Sequence, residues 1–333
     1  MILVIGNFGG KGNKTNGQIG RTQNIYKCLL NGSDEEIRTI DTSFGIKVII
    51  IHLVLILRAR KIVALPAQRG LKPILYILQV MGKIDKTIYV AIGGWLPSFV
   101  QRDRTLLNLC NKCKRVFVQL DSMTEELNKL GIRNVKTLPN FRIYENEYEI
   151  VDRKPFTPIK LIFYARVDET KGIEILLDSL KDADFNYKLD IYGPIREEYK
   201  DKLQQMIQDK RSVYKGVITE KYLETIGDYD ILVFPTHYEG EGFPGTILEA
   251  IYAGVPIIAS DWKYNREIVE KYGVGLLFDT FSADSLRESI EKLIHNKELW
   301  ESFRSNCKRA AKQLSVEKIG ELLLSETKLS SDC

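Results

Sequence analysis

Residues 241–249 read EGFPGTILE, with Glu241 and Glu249 separated by seven residues, inside the longer stretch HYEGEGFPGTILEAIYAGVPIIASDW. Ile231 to Pro235 (ILVFP) before it is a short apolar run of strand type, and Pro256 to Ala259 after it begins another. Between them, Thr246 to Ala253 has helical spacing, with Gly254 and Pro256 as stop signals. The unit is therefore strand, loop, helix, strand, which calls for an α/β architecture with a parallel sheet. In such units ligands sit at the carboxyl ends of the strands. There the next helix offers unpaired backbone N–H groups and a partial positive charge to an anion. Gly242 and Gly245 would let the backbone come close to that ligand.

The two glutamates are expected to have separate jobs. Glu241, in the loop, could accept hydrogen bonds from the hydroxyls of a polyol, and Glu249, about one helical turn further in, could bind hydroxyls at the other end of an elongated ligand. A phosphate between two hydroxyl-rich ends describes a nucleotide sugar. The alternative is two surface glutamates on an ordinary helix cap.

This segment resembles the retaining glycosyltransferases of family 4, which have the GT-B fold and carry the same Glu, seven residues, Glu motif. LIFYARVDETKGIEILLDSL (161–180), IYGPIREEYKDKL (191–203) and VGLLFDTFSADSLRESIEKL (274–293) extend the resemblance. It covers most of residues 134–310 and is weaker over the first 130. It implies two Rossmann-like domains facing a central cleft. Residues 1–145 would form the acceptor domain and 146–310 the nucleotide-sugar donor domain, with a final helix at about 311–333 packing back on the first. The boundary falls after LPNFR (138–142), where YENEYE (144–149), Pro155 and Pro158 break the periodicity.

For the site, the resemblance implies Glu241 on the donor sugar, Glu249 on the ribose, and Gly242, Phe243, Gly245 and Thr246 around the donor. Arg166, at the end of the strand LIFYA, and Lys171, at the start of the next helix, would neutralise the charge on a departing nucleoside diphosphate. The alternative for this pair is a surface arginine and lysine in a loop. Gly9, Gly10, Gly12, Gly17 and Gly20 precede the helix expected at 21–26, and their spacing is not the dinucleotide GxGxxG. By the resemblance, Gly17 and its neighbours face the donor diphosphate; otherwise they form a merely flexible loop.

Many family members carry a histidine after the fourth strand of the first domain, where this chain has IGGWL (92–96). Trp95 there offers a flat apolar face of the kind that stacks on sugars, with core packing as the alternative. The histidines are His52, His237 and His295, and His237 is a candidate contact for donor or acceptor. Asp228 and Asp230 form a DxD, but Asp230 starts a buried strand at the end away from the ligand, so no essential metal is expected. Cys110 and Cys113 form a CxxC that no second pair or histidine cluster answers; they read as a helix face. No cofactor is called for beyond the nucleotide sugar itself, UDP-linked by default.

At 333 residues and 44% hydrophobic, the chain suits two domains. An odd, modest set of five cysteines, with no signal peptide before the first strand, points to a reducing cytoplasm. Residues 1–150 hold 22 Lys plus Arg against 12 Asp plus Glu, a net of +10, and residues 151–333 hold 26 against 32, a net of −6. A basic first half suits a phosphate-bearing or membrane-bound acceptor. The resemblance implies that this domain receives the acceptor, and with it a lipid-linked or glycan acceptor of surface polysaccharide (capsule or lipopolysaccharide) biosynthesis. The enzyme would then be peripheral on the inner face of a bacterial cell membrane, its first domain binding the anionic membrane surface in a salt-sensitive way. No nucleic-acid partner is expected, because no recognisable nucleic-acid-binding motif is present. The apolar run 46–57 (IKVIIIHLVLIL) is too short to span a bilayer and reads first as a buried core helix. Two other function classes remain: a nucleotide-sugar epimerase of the same fold, and a sugar-nucleotide-binding protein without turnover.

Overall fold

The structure is a computed structural model that describes residues 1–10, 17–144, 148–151, 155, 157–207 and 209–327. The chain divides into two units. One comprises Met1–Tyr144, Gly240–Phe243 and Leu314–Cys333; the other comprises Glu145–Glu239 and Pro244–Gln313.

The first unit runs β1 (Ile2–Gly6), α1 (Gly17–Gly32), β2 (Ile37–Asp41), α2 (Lys47–Ile51), α3 (Leu53–Arg58), β3 (Lys61–Leu65), α4 (Gln68–Val80) and β4 (Thr87–Val90). It continues with α5 (Leu96–Arg102), α6 (Arg104–Lys112), β5 (Arg115–Val118), α7 (Asp121–Lys129) and β6 (Val135–Thr137). Its sheet has the order β2-β1-β3-β4-β5-β6, and every pairing is parallel. The sequence predicts strands near residues 1–6, 36–41, 61–66, 86–92, 115–120 and 134–138, and each of these places holds one. β1, β3 and β4 are buried along their whole length, as strands covered on both faces must be.

The second unit runs β7 (Ile159–Tyr164), α8 (Ile173–Leu180), β8 (Tyr187–Tyr192), α9 (Glu197–Met206), β9 (Ser212–Gly216), α10 (Tyr222–Gly227), β10 (Ile231–Phe234) and α11 (Gly245–Ala253). It ends with β11 (Ile257–Ser260), α12 (Asn265–Tyr272), β12 (Gly275–Phe278), α13 (Ala283–Ile294) and α14 (Lys297–Gln313). Its sheet order, β12-β11-β10-β7-β8-β9, is again all parallel. The order reverses between β7 and β10, and a reversal of this kind opens a crevice at the carboxyl ends of the two strands.

The last helix, α15 (Val316–Thr327), belongs to the first unit. Ile319 and Leu323 enter a core with Ile25, Cys28 and Leu29 of α1. Arg115 and Lys136 both pair with Glu326, at 2.9 and 2.8 Å, and the Lys61 ammonium donates to the Thr327 carbonyl.

Two expectations need correction. The first helix begins at Gly17 rather than at residue 21, so Gly17 and Gly20 lie within α1; Lys11–Asn16, including Gly12, lie outside the described residues. The run 46–57 is not a buried core helix. It forms two short helices broken at His52, and only Ile49 and Ile56 are buried, while Ile46, Ile50, Ile51, Val54 and Leu57 face solvent. A run apolar on every side carries no information about which side packs, and a helix resting on a sheet buries one face only.

Candidate active site

In the second unit, β7 and β10 end side by side and α11 begins beside them. The Thr246 hydroxyl donates to the carbonyl of Tyr164, the last residue of β7, at 2.8 Å, which fixes the helix start against the strand end. Pro244 precedes α11 and supplies no side-chain cap. The backbone N–H groups of Gly245, Thr246 and Ile247 are therefore the intrahelically unpaired first turn, ready for an anion. Glu249 follows in the next turn and is half-buried.

Arg166 and Lys171 come from the loop after β7 and converge on one side chain that the sequence does not single out. The Arg166 guanidinium stands 5.7 Å and the Lys171 ammonium 4.6 Å from the ring centre of Tyr238, just past β10. A tyrosine ring attracts both cations without itself neutralising either. Asp168 anchors the loop by accepting from the Arg166 Nε and, at 2.6 Å, from the Thr170 hydroxyl. Burial pushes the Asp168 carboxyl up, but these bonds with Thr170 and Arg166 and the charge of Lys171 outweigh it and hold the pKa below the usual carboxylate range. The Thr170 backbone carbonyl in turn accepts from the His237 backbone N–H at 2.9 Å.

The turn into α8 needs a glycine. Gly172 has φ +73°, and a Cβ there would lie 2.0 Å from the Pro235 carbonyl oxygen. It thus locks the loop bearing Lys171 against the end of β10.

Glu241, Gly242 and Phe243 group with the first unit. Glu241 is buried, at 7% exposure. The Phe243 N–H donates to the Gln119 side chain at 3.0 Å, and the Phe243 carbonyl accepts from Asn140 at 3.1 Å. Gln119 and Asn140 are both buried. Asn140 belongs to a turn that Arg21 of α1 holds through the carbonyls of Leu138 and Pro139, at 2.9 and 3.0 Å. A Cβ on Gly242 would meet the Gln119 side chain at 2.4 Å and the Gly93 backbone at 2.8 Å. Gly242 therefore makes a close approach to the protein's own Gln119 and Gly93, which a side chain would block.

The other candidates are placed as follows. Gly17 opens α1, and a Cβ there would meet nothing within 4 Å. Ahead of it, Asp41 at the end of β2 accepts from the N–H groups of Phe8, Gly10 and Ser43, which fixes the entry to the glycine-rich loop. Trp95 is buried at 7% exposure, packed edge-on against Phe99, with its indole N–H donated to the Ile92 carbonyl at 2.5 Å. It is a packing residue and presents no open face to a sugar. His237 is half-buried among Phe281 and Trp262, ring centres 5.0 and 6.5 Å away, and its Nδ1 has no hydrogen-bond partner. Asp230 is fully buried at the amino end of β10, accepting from the Lys160 N–H at 2.8 Å. Cys110 and Cys113 are buried free thiols, and burial pushes the Cys110 pKa up to about 12. Among the described residues no group of three His, Cys, Asp or Glu side chains is arranged to hold a metal ion.

Tyr238, Asp168, Gln119, Asn140 and Asp41 are what the sequence reading missed. Gln119 and Asp41 carried a signal: each is a polar residue at the carboxyl end of a predicted strand, where a buried strand would otherwise stay apolar.

Residues 146–313 match the family described as Glycosyl transferases group 1. The chain belongs to this family. An uncharacterized glycosyltransferase of Methanocaldococcus jannaschii, MJ1178, is 31% identical over 152 residues, 44% of this chain and 42% of that protein. The putative colanic acid biosynthesis glycosyltransferase WcaL of Escherichia coli is 23% identical over 148 residues, 41% of this chain and 36% of WcaL. The group 1 chain thus spans less than half the length of these curated relatives in its matches to them. In fold, it is similar to Anabaena HepE solved with UDP, at TM-score 0.74 and 17% identity, covering 98% of this chain and 99% of that one. It is equally similar to the sucrose-phosphate synthase of Thermosynechococcus elongatus, at TM-score 0.74 and 15% identity, covering 97% of each chain. The two parallel-sheet, Rossmann-like halves of this group 1 protein are those of the GT-B fold.

Proposed function

We propose that this protein is a retaining, family 4-type glycosyltransferase that moves a sugar from a nucleoside diphosphate sugar to a glycan or lipid-linked acceptor. The observation that carries the reading is the pair of cations, Arg166 and Lys171, held on Tyr238 beside the uncapped first turn of α11. Departure of a nucleoside diphosphate builds negative charge, and two fixed cations with a helix N-terminus stabilise it as it forms. This arrangement does the work a metal does elsewhere, so transfer is proposed to need none. Glu249 is assigned the ribose and Glu241 the donor sugar; Phe243, Gly245 and Thr246 shape the donor side. UDP is the proposed nucleotide, in line with the UDP bound to HepE.

The basic first unit is assigned the acceptor, a lipid-linked oligosaccharide of surface polysaccharide synthesis, in line with the naming of WcaL. Such an acceptor would keep the enzyme on the cytoplasmic face of the cell membrane. The test is a thermal-shift screen of UDP, GDP, dTDP and their sugars, since a ligand bound only by the folded form raises its stability, followed by product analysis with chelator present. A UDP-sugar shift with anomer-retaining transfer supports the reading. A shift without turnover indicates a binding protein, and donor conversion without acceptor indicates an epimerase.

A further inference from the structure

Between Asp41 and Asp85 the chain has no acidic residue over 43 positions, yet it has seven Lys and Arg. This stretch builds a 3₁₀ turn (Thr42–Phe44), α2, α3, β3 and α4. The steps β2 to β3 and β3 to β4 cross the sheet in the same direction. Right-handed crossovers therefore set α2–α3 and α4 on one face of it.

That face carries large apolar side chains in water. Phe44, Ile46, Ile50, Ile51, Val54 and Leu57 are exposed on the first crossover, Ile51 at 77%. Tyr76 and Val80 are exposed on the second, Val80 at 72%. On α2–α3 the inward positions are Ile49 and Ile56, so the pair is anchored from below, while no element of the described residues covers the outer side chains. A soluble surface scatters single aliphatics, whereas a contiguous set marks an interaction site. Lys47 of α2, Arg58 of α3, Arg60 just after it and Arg69 of α4 are exposed on the same elements and carry no ion pair among the described residues. Lys72 is held by Asp103 and Lys61 is buried.

We infer that the α2–α3–α4 face docks on an anionic lipid bilayer, with the aliphatic side chains entering the headgroup layer and the cations ringing them on phosphate. An apolar centre rimmed by basic residues is the composition of an in-plane membrane anchor. The alternative occupant, a second copy of the chain, is disfavoured by the same charges. A two-fold interface would lay this face on itself, bringing cations against cations with no acid to answer them. No helix of the described residues is long and apolar enough to cross a membrane, so the contact is superficial. The inference deepens the membrane-bound acceptor proposed above by naming the surface, and stands or falls separately from sugar transfer.

The test is co-sedimentation of the full chain with phosphatidylglycerol and phosphatidylcholine vesicles at low and high salt. Wild-type protein is expected on phosphatidylglycerol at low salt, partly released by high salt, and scarcely on phosphatidylcholine. Ile50→Asp with Leu57→Asp should lower partition at both salt levels by on the order of tenfold or more. Arg58→Glu with Arg60→Glu should remove the preference for phosphatidylglycerol, each cation near such a surface being worth about fivefold. These positions are exposed, so both variants should keep the wild-type melting temperature and UDP-induced shift, which separates loss of docking from loss of fold or donor site. Absence of wild-type binding at low salt overturns the inference, as does wild-type binding by the Ile50/Leu57 variant. A dimer in light scattering that the same variant dissociates, without vesicle binding, assigns the face to a second copy instead. Failure of sugar transfer with vesicle binding intact would overturn the function and leave this surface standing.

Discussion

At the scale of single residues, the candidate chemistry rests on a ring and two cations. Replacing Lys171 or Arg166 with Ala should lower kcat by on the order of 10²-fold, because each is proposed to stabilise charge that appears only as the leaving group departs. Steady-state kinetics at saturating donor would show it, and a wild-type rate from either variant would remove that residue from the site. If the ring holds the proposed cation pair, Tyr238→Phe keeps its face and should remain near wild type, whereas Tyr238→Leu should lose a large part of what the cation variants lose. Glu241→Ala should abolish transfer while nucleoside diphosphate affinity stays within a few fold; Glu249→Ala should weaken that affinity, as isothermal titration would report. Arg166 and Lys171 were legible in the sequence by type and spacing. Tyr238 was not, because its part is a contact between segments 67 residues and more apart in the chain, which no local pattern encodes.

At the scale of elements, the helix starts and turns are over-determined by backbone geometry. Gly172→Ala should cost about 2 kcal/mol or more, since the left-handed φ and the Pro235 carbonyl both exclude a side chain; chemical denaturation would measure it. The helix α1 is less conventional. It buries Arg21, Thr22 and Asn24, and the Arg21 guanidinium satisfies carbonyls of the turn whose Asn140 holds Phe243. Arg21→Met should destabilise by about 3 kcal/mol, because it leaves buried carbonyls without donors. The sequence placed the strands and the helix after the motif, since period and stop signals are local. It misplaced the start of α1 and the side that the run 46–57 presents, because burial of a uniformly apolar helix depends on what lies beneath it.

At the scale of the whole molecule, stability should depend on acid in a definite window. Asp41, Asp168 and Glu326 all have depressed carboxyl pKa values. For each, burial alone would raise the pKa, but backbone N–H groups (Asp41), Thr170 and Arg166 (Asp168), or Lys136 and Arg115 (Glu326) overcome it. A depressed native pKa gives stability that is fully present above the unfolded value, about 4, and lost as pH falls through the native one. The melting temperature should thus be flat from neutrality to about pH 5 and fall below it. Glu326→Gln should reduce that acid sensitivity, as melting curves against pH would show. By itself the sequence determined two parallel α/β halves, their opposite net charges and the family-bearing segment, because strand periodicity, glycine stops and composition are properties of contiguous residues. Only the tertiary structure decided that Arg166 and Lys171 share Tyr238, that Gln119 and Asn140 hold Phe243, that Trp95 is buried, and that the run 46–57 buries only Ile49 and Ile56 and turns its other side to water. Each of those depends on which distant backbone passes within a few ångströms, and that is fixed by packing rather than by neighbours in the chain.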